Sequence, residues 1–148
     1  MNSLSMAKAY IRQAEERKKH AEEAFESGNY PYVIRQCQEA VELSLKAALR
    51  IVGIEPPKLH DVGPILRKNK DLFPEWFREN VDKMASISRT LRRERETSMY
   101  GDEELSLPPE EIYSKEDAKM ALEGCNFVLK NCKKLLEEFI QNTSSQNP

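Results

Sequence analysis

Four arginines crowd one stretch of this chain. Arg89, Arg92, Arg93 and Arg95 precede Tyr100, Gly101 and Asp102, with Glu94 and Glu96 between them. On a helix Arg89, Arg92 and Arg93 are neighbours, and Arg95 lies one turn beyond Arg92. A guanidinium is a planar fork that matches two phosphate oxygens at once. Each such charge-assisted contact contributes about 1.5–3 kcal/mol when shielded from water. Two or three of them suffice for a micromolar nucleotide site before ordering costs. The same residues also read as a solvated helix end, with arginines near the negative pole of the dipole and Glu94 and Glu96 neutralising them. Both readings stay open on the residues alone.

Other chemistry is sparse. The chain has no glycine-rich phosphate loop, no Gly-x-Ser-x-Gly and no His-Glu-x-x-His. It holds 2 histidines and 3 cysteines without the close ligand spacing of a metal site, so neither metal nor cofactor is expected. Cys125 and Cys132 share a helix face with Leu122, Val128, Leu129 and Leu136, which makes them core thiols of a reducing, cytoplasmic protein. His60 precedes a short helix. It suits a cap or packing group, or an accessory phosphate contact or proton donor. Net charge is −2, so any grip on nucleic acid must be local rather than global. No apolar run approaches 18 residues and no secretory leader pattern opens the chain, so no membrane association is expected.

The elements that would position the arginines are helical. With 148 residues, 32% charged, 39% apolar and only 5 glycines, the composition fits one helical domain. Apolar positions three and four apart predict helices over 4–27, 31–52, 60–69, 74–99 and 115–140. Pro31 and Pro74 sit in first turns, and Ser114 with Asp117 forms a capping pattern. The short link between the first two helices makes them antiparallel. The expected fold is all-α: an antiparallel up-and-down bundle of four long helices plus one short helix. It occupies 1–141 as a single domain, with 142–148 a disordered polar tail. The acidic segment 102–109 is its longest internal loop.

Two parts of the chain together resemble the HEPN domain, the "higher eukaryotes and prokaryotes nucleotide-binding" family. The first is Gly28-Asn29-Tyr30, then Gln38, Ala40, Glu42, Leu45-Lys46 and His60; the second is Arg93 to Asp102, at the place of the family's arginine motif. The resemblance implies a helical bundle that forms a homodimer, binds nucleotide or RNA, and pairs with a minimal nucleotidyltransferase subunit in toxin–antitoxin fashion. It implies a ligand site lined by Arg92, Arg93, Arg95, Tyr100 and Asp102, with His60 accessory. Ribonuclease members carry Arg, four to six residues, then His. Here that spacing leads from Arg95 to Tyr100, the only candidates for a catalytic role. A phenol with pKa near 10 is a poor base at neutrality. The implied function is therefore binding rather than catalysis, with a weak metal-independent ribonuclease as an alternative. The helical hairpin around Gly28-Asn29-Tyr30 and Ala40 also resembles half a tetratricopeptide repeat, a protein-binding scaffold. No second copy of a 34-residue repeat follows.

Overall fold

A computed structural model describes residues 2–145. Among them are eight α-helices: α1 Asn2–Glu26, α2 Tyr30–Ile51, α3 Gly63–Lys68, α4 Glu75–Arg78, α5 Val81–Arg93, α6 Arg95–Tyr100, α7 Pro109–Ile112 and α8 Lys115–Ser145, with a 3₁₀ turn at Lys70–Leu72. The expected all-α bundle is the observed one, and α1, α2, α5 and α8 are its four long members. The described residues contain no strand, only an isolated bridge between Asp102 and Leu107.

α2 is the central helix. It packs against α1 and α8 over most of its length and against α5 and α6 along another flank. Small residues allow this. Ala40, Ser44, Ala47 and Ala48 are all fully buried, so neighbouring backbones approach closely, while Val33, Leu45 and Leu49 fill the gaps between them. α1 contributes Ala7, Ile11, Ala14 and Ala21, and α8 contributes Ala118, Cys125, Val128 and Cys132. All three cysteines are buried free thiols, as their apolar spacing suggested. Leu45 and Leu49 are fully buried, so truncating either to Ala would cost about 2–5 kcal/mol, the lost transfer energy plus the cavity left behind. The α1–α2 hairpin closes on α8 and buries one core, whereas repeats would stack hairpin on hairpin.

Three boundaries differ from expectation. The helix expected over 74–99 is three helices. Its first break is at Asn80, whose amide donates to the Trp76 carbonyl at 2.8 Å and to Asn131 of α8 at 3.3 Å. Its second is at Glu94, where Arg35 and Tyr113 reach the backbone carbonyls of 95 and 94. Side chains inserted into a helical ladder are a known cause of such kinks. The short helix begins at Gly63 rather than 60, because Asp61 Oδ1 accepts from the Gly63 amide at 3.0 Å and forms a turn first. A Cβ on Gly63 would sit 3.1 Å from the Ala85 carbonyl of α5, a tight contact that glycine avoids. Finally, α8 continues to Ser145, past the expected end at 140. The rest of the expected polar tail, 146–148, lies outside the described residues.

Candidate functional site

The site is a polar seam where α6 crosses α2. α2 is otherwise an apolar helix, yet Gln38 lies inside it at 2% exposure. A buried amide is costly unless its donors and acceptor are satisfied. Gln38 meets this demand with two partners. Its Oε1 accepts from Arg95 Nη1 of α6, and its Nε2 donates to Glu42 Oε1 at 3.1 Å, one turn along α2. Glu42 also receives Lys46 Nζ at 2.9 Å and His60 Nδ1 at 2.8 Å. Burial alone would raise the Glu42 carboxyl pKa, but the hydrogen bonds from Gln38, Lys46 and His60 outweigh it and hold the group below its usual range.

A second cluster adjoins the first. Glu39, next to Gln38, accepts from Arg35 Nε at 2.8 Å and from Arg17 Nε of α1 at 2.9 Å. Arg35 Nη1 also donates to the Arg95 carbonyl at 3.4 Å, tying the two clusters together. Burial pushes the Glu39 carboxyl up, and its two arginines more than reverse that, leaving it below the ordinary value.

The break at Glu94 sets how α6 meets α2. The Glu94 carboxylate accepts from the Tyr113 hydroxyl at 2.8 Å, which pins the segment before α8 onto the α5–α6 junction. Burial, then the Glu94 hydrogen bond, raises the Tyr113 phenol well above its usual range, so it stays a donor. Glu94 thus faces Tyr113 and is not the neutraliser that the sequence offered for the arginines.

The structure places the expected site residues in separate surroundings. Arg95 and His60 belong to one hydrogen-bonded chain, through Gln38 and Glu42. Arg92 pairs with Glu96 at 2.9 Å on the outer face of the helix. Arg93 is exposed, and Tyr100 stands 60% exposed at the end of α6. Asp102 closes a turn: its Oδ1 accepts from the Leu105 amide at 3.1 Å, and its backbone pairs with Leu107 at 2.9 and 3.0 Å. It borders an acidic recess of about 530 Å³ with Glu103, Glu104 and Glu111. Among the described residues, no cluster of His, Cys, Asp and Glu suited to a metal ion occurs.

Arg95 differs from Arg92 and Arg93 in its side-chain partner. Arg92 pairs with Glu96 and Arg93 is exposed, whereas Arg95 is held by the neutral amide of Gln38 and makes no ion pair within 4 Å among the described residues, although its charge still acts on Glu96. Reading the sequence for chemistry missed Gln38, Glu39 and Glu42 as site residues, and missed Arg35 and Arg17 altogether. The available signal was a run of polar residues at 35, 38, 39, 42 and 46, spaced three and four apart along an apolar helix.

An apolar groove of about 490 Å³ lies beside this seam, between α5 and α8 and walled by Ile87, Leu91, Met120 and Gly124. No described helix is long and apolar enough to cross a membrane.

Comparison with known proteins places these features in context. The HEPN domain sequence model matches residues 7–135. A protein of Methanocaldococcus jannaschii named "Putative toxin MJ1304" is 29% identical over 142 residues, covering 92% of this chain and 91% of that protein. The crystal structure of TT1696 from Thermus thermophilus superposes with a TM-score of 0.70 at 21% identity, over 86% of this chain and 96% of that one. The last likeness is one of fold.

Proposed function

The chain belongs to the HEPN domain family, and on that premise we propose that it is a nucleotide- or RNA-binding module acting in a toxin-like pair. The observation that carries this reading is the Arg95 guanidinium, half-buried against the neutral amide of Gln38. A cation fixed in place without a paired carboxylate is ready for a phosphate, because binding displaces no internal anion. Partial burial also lowers the local dielectric, which strengthens the contact relative to a solvated arginine. Arg92 and Arg93 on the adjoining turn add positive potential, although Arg92 shares its charge with Glu96. Tyr100, exposed at the end of the same helix, supplies a face on which a base can stack. Asp102 would fix the turn that follows, and His60, through Glu42, would act as an accessory group behind Gln38.

The relative's name supports a toxin-like role. The family resemblance supports a homodimer and a minimal nucleotidyltransferase subunit as partners, the latter as the opposing half of the pair. Co-purification with that subunit, and light scattering of the protein alone, test these two assemblies separately.

The decisive experiment is binding of ATP and of a short single-stranded RNA to the purified protein. Arg95→Ala should weaken both by roughly ten-fold or more, since a shielded arginine contact contributes about 1.5–3 kcal/mol. Tyr100→Ala should weaken binding by a similar factor through lost stacking. If the unmodified protein binds neither ligand at low salt, or if Arg95→Ala leaves both affinities unchanged, the reading is wrong.

A further inference from the structure

The second cluster on the seam has more positive charge than it needs. Glu39 returns one negative charge to two guanidiniums, Arg17 at 2.9 Å and Arg35 at 2.8 Å. Taken together, Arg17, Arg35, Lys46 and Arg95 set four cations against the carboxylates of Glu39 and Glu42, and of Glu96, which also feels the Arg95 charge while pairing with Arg92. This local excess runs opposite to the net charge of −2 on the whole chain. The side chains of Arg17, Arg35 and Glu39 are each between 18% and 31% exposed, so they are held in place yet reachable from solvent. Arg35 lies next to Arg95, since its Nη1 donates to the Arg95 carbonyl at 3.4 Å.

We propose that Arg17 and Arg35 form a second phosphate position beside Arg95, with Glu39 as an internal carboxylate that aligns the two guanidiniums and opposes the incoming anion. The inference rests on the nucleic-acid reading above and narrows it to a ligand class. A polynucleotide backbone presents phosphates in succession, so one phosphate takes Arg95 and a neighbour takes the Arg17–Arg35 fork across α2 and α1. A nucleoside monophosphate reaches only the first. The Nε atoms of both arginines are spent on Glu39, Arg17 Nη1 donates to the Gln13 carbonyl and side-chain oxygens at 3.2 and 3.0 Å, and Arg35 Nη1 donates to the Arg95 carbonyl; the Nη2 groups of the two guanidiniums are the donors left for phosphate oxygens. Glu39 thereby trades affinity for order: it holds two long side chains in one geometry and repels a bound phosphate by like charge.

This arrangement gives a test with an inverted sign. Glu39→Gln keeps the shape of the side chain and one of the two acceptor oxygens that Arg17 and Arg35 share, and removes the charge. It should tighten binding of a short single-stranded oligoribonucleotide by roughly three- to ten-fold. Binding of AMP should change by less than about two-fold, since its single phosphate sits at Arg95. Arg17→Gln should weaken the oligoribonucleotide about three-fold or more and lower the slope of log affinity against log salt by about 0.7, one phosphate's share. Misfolding lowers affinity and does not raise it, so the gain in Glu39→Gln separates the proposal from structural damage, and Arg17→Gln is the independent second variant. If Glu39→Gln leaves oligoribonucleotide affinity unchanged or reduces it while Arg95→Ala still weakens binding, the second position is overturned and the Arg95 reading stands. If unmodified protein binds neither probe at low salt, both fall together.

Discussion

Gln38 of α2 accepts a hydrogen bond from Arg95 of α6 while donating to Glu42 at 3.1 Å. One buried amide thus links a cation to an anion, and its two ends cannot be exchanged. Oε1 can only accept and Nε2 can only donate, so the orientation of Gln38 follows from the charges on either side. This fixes Arg95 against the bundle without neutralising it.

Replacing Gln38 by leucine tests that link. The substitution conserves bulk but leaves Arg95 without its acceptor and Glu42 without one donor. Leaving half-buried polar groups unpaired costs about 1–3 kcal/mol. The midpoint of urea unfolding should fall accordingly, and ATP affinity should fall as well, because Arg95 loses its fixed position. Lower stability with unchanged ATP affinity would mean that the amide supports the bundle but does not position Arg95.

Gly101 is the hinge between α6 and the acidic turn. Its φ is +73°, and an added Cβ would lie 2.1 Å from the Leu107 carbonyl, which no side-chain rotation relieves. Gly101→Ala should therefore break the Asp102–Leu107 bridge and destabilise the protein by about 1–3 kcal/mol. Limited proteolysis should show new cleavage within 102–107. An alanine variant with native stability and native resistance to protease would contradict this account of the turn.

What could be read in the sequence was mostly local. The Ser114–Asp117 cap is one example: the Asp117 amide donates to Ser114 Oγ at 3.2 Å and Asp117 Oδ2 accepts from the Ser114 amide at 2.9 Å. Its partners are three residues apart, so spacing alone specifies it. The break at Glu94 is the opposite case. It depends on Arg35 from α2 and Tyr113 from beyond the acidic turn, and neither distance is visible along the chain. Spacing singled out Arg95 only by its distance from Tyr100; that its side chain turns to Gln38 of α2 while Arg92 pairs outward with Glu96 depends on packing across the bundle. Gln38 and Glu42 were visible only as part of a family pattern. Their polarity on an apolar helix acquires meaning once Arg95 and His60 are known to lie beside them.

Tyr113 offers a test at alkaline pH. Its phenol pKa is raised in the folded state by burial and by the Glu94 carboxylate it donates to. In the unfolded chain it ionises near pH 10. An acid with a raised native pKa stabilises the fold below the unfolded value and loses that contribution as pH rises above it. Stability of the unmodified protein should therefore decline more steeply above about pH 10 than that of Tyr113→Phe. Near neutrality the phenylalanine variant should be less stable by about 1 kcal/mol, the cost of one lost hydrogen bond to a charged group that water partly replaces. Parallel pH profiles for the two proteins above pH 10 would show that Tyr113 ionises normally and that Glu94 does not hold it.

Glu42 makes the corresponding prediction in acid. Burial would raise its carboxyl pKa, but donors from Gln38, Lys46 and His60 set it lower than in the unfolded chain. A carboxyl with a depressed native pKa contributes stability that is complete above the unfolded value, about 4.3, and is lost as pH falls through the native one. Glu42→Gln removes the titrating group and leaves Lys46 and His60 facing a neutral amide. At pH 7 it should cost about 1–2 kcal/mol. The gap to the unmodified protein should then narrow as pH drops through the range below about 4.3, since protonated Glu42 also offers no charge to its donors. Urea unfolding of both proteins at neutral pH and at several acidic values measures this directly. Because Gln38 bridges Glu42 to Arg95, the same variant should also weaken ATP binding at pH 7, by a smaller factor than Arg95→Ala. A stability gap that stays constant from neutral to acidic pH would mean that Glu42 fills space on α2 but holds no charged contact there.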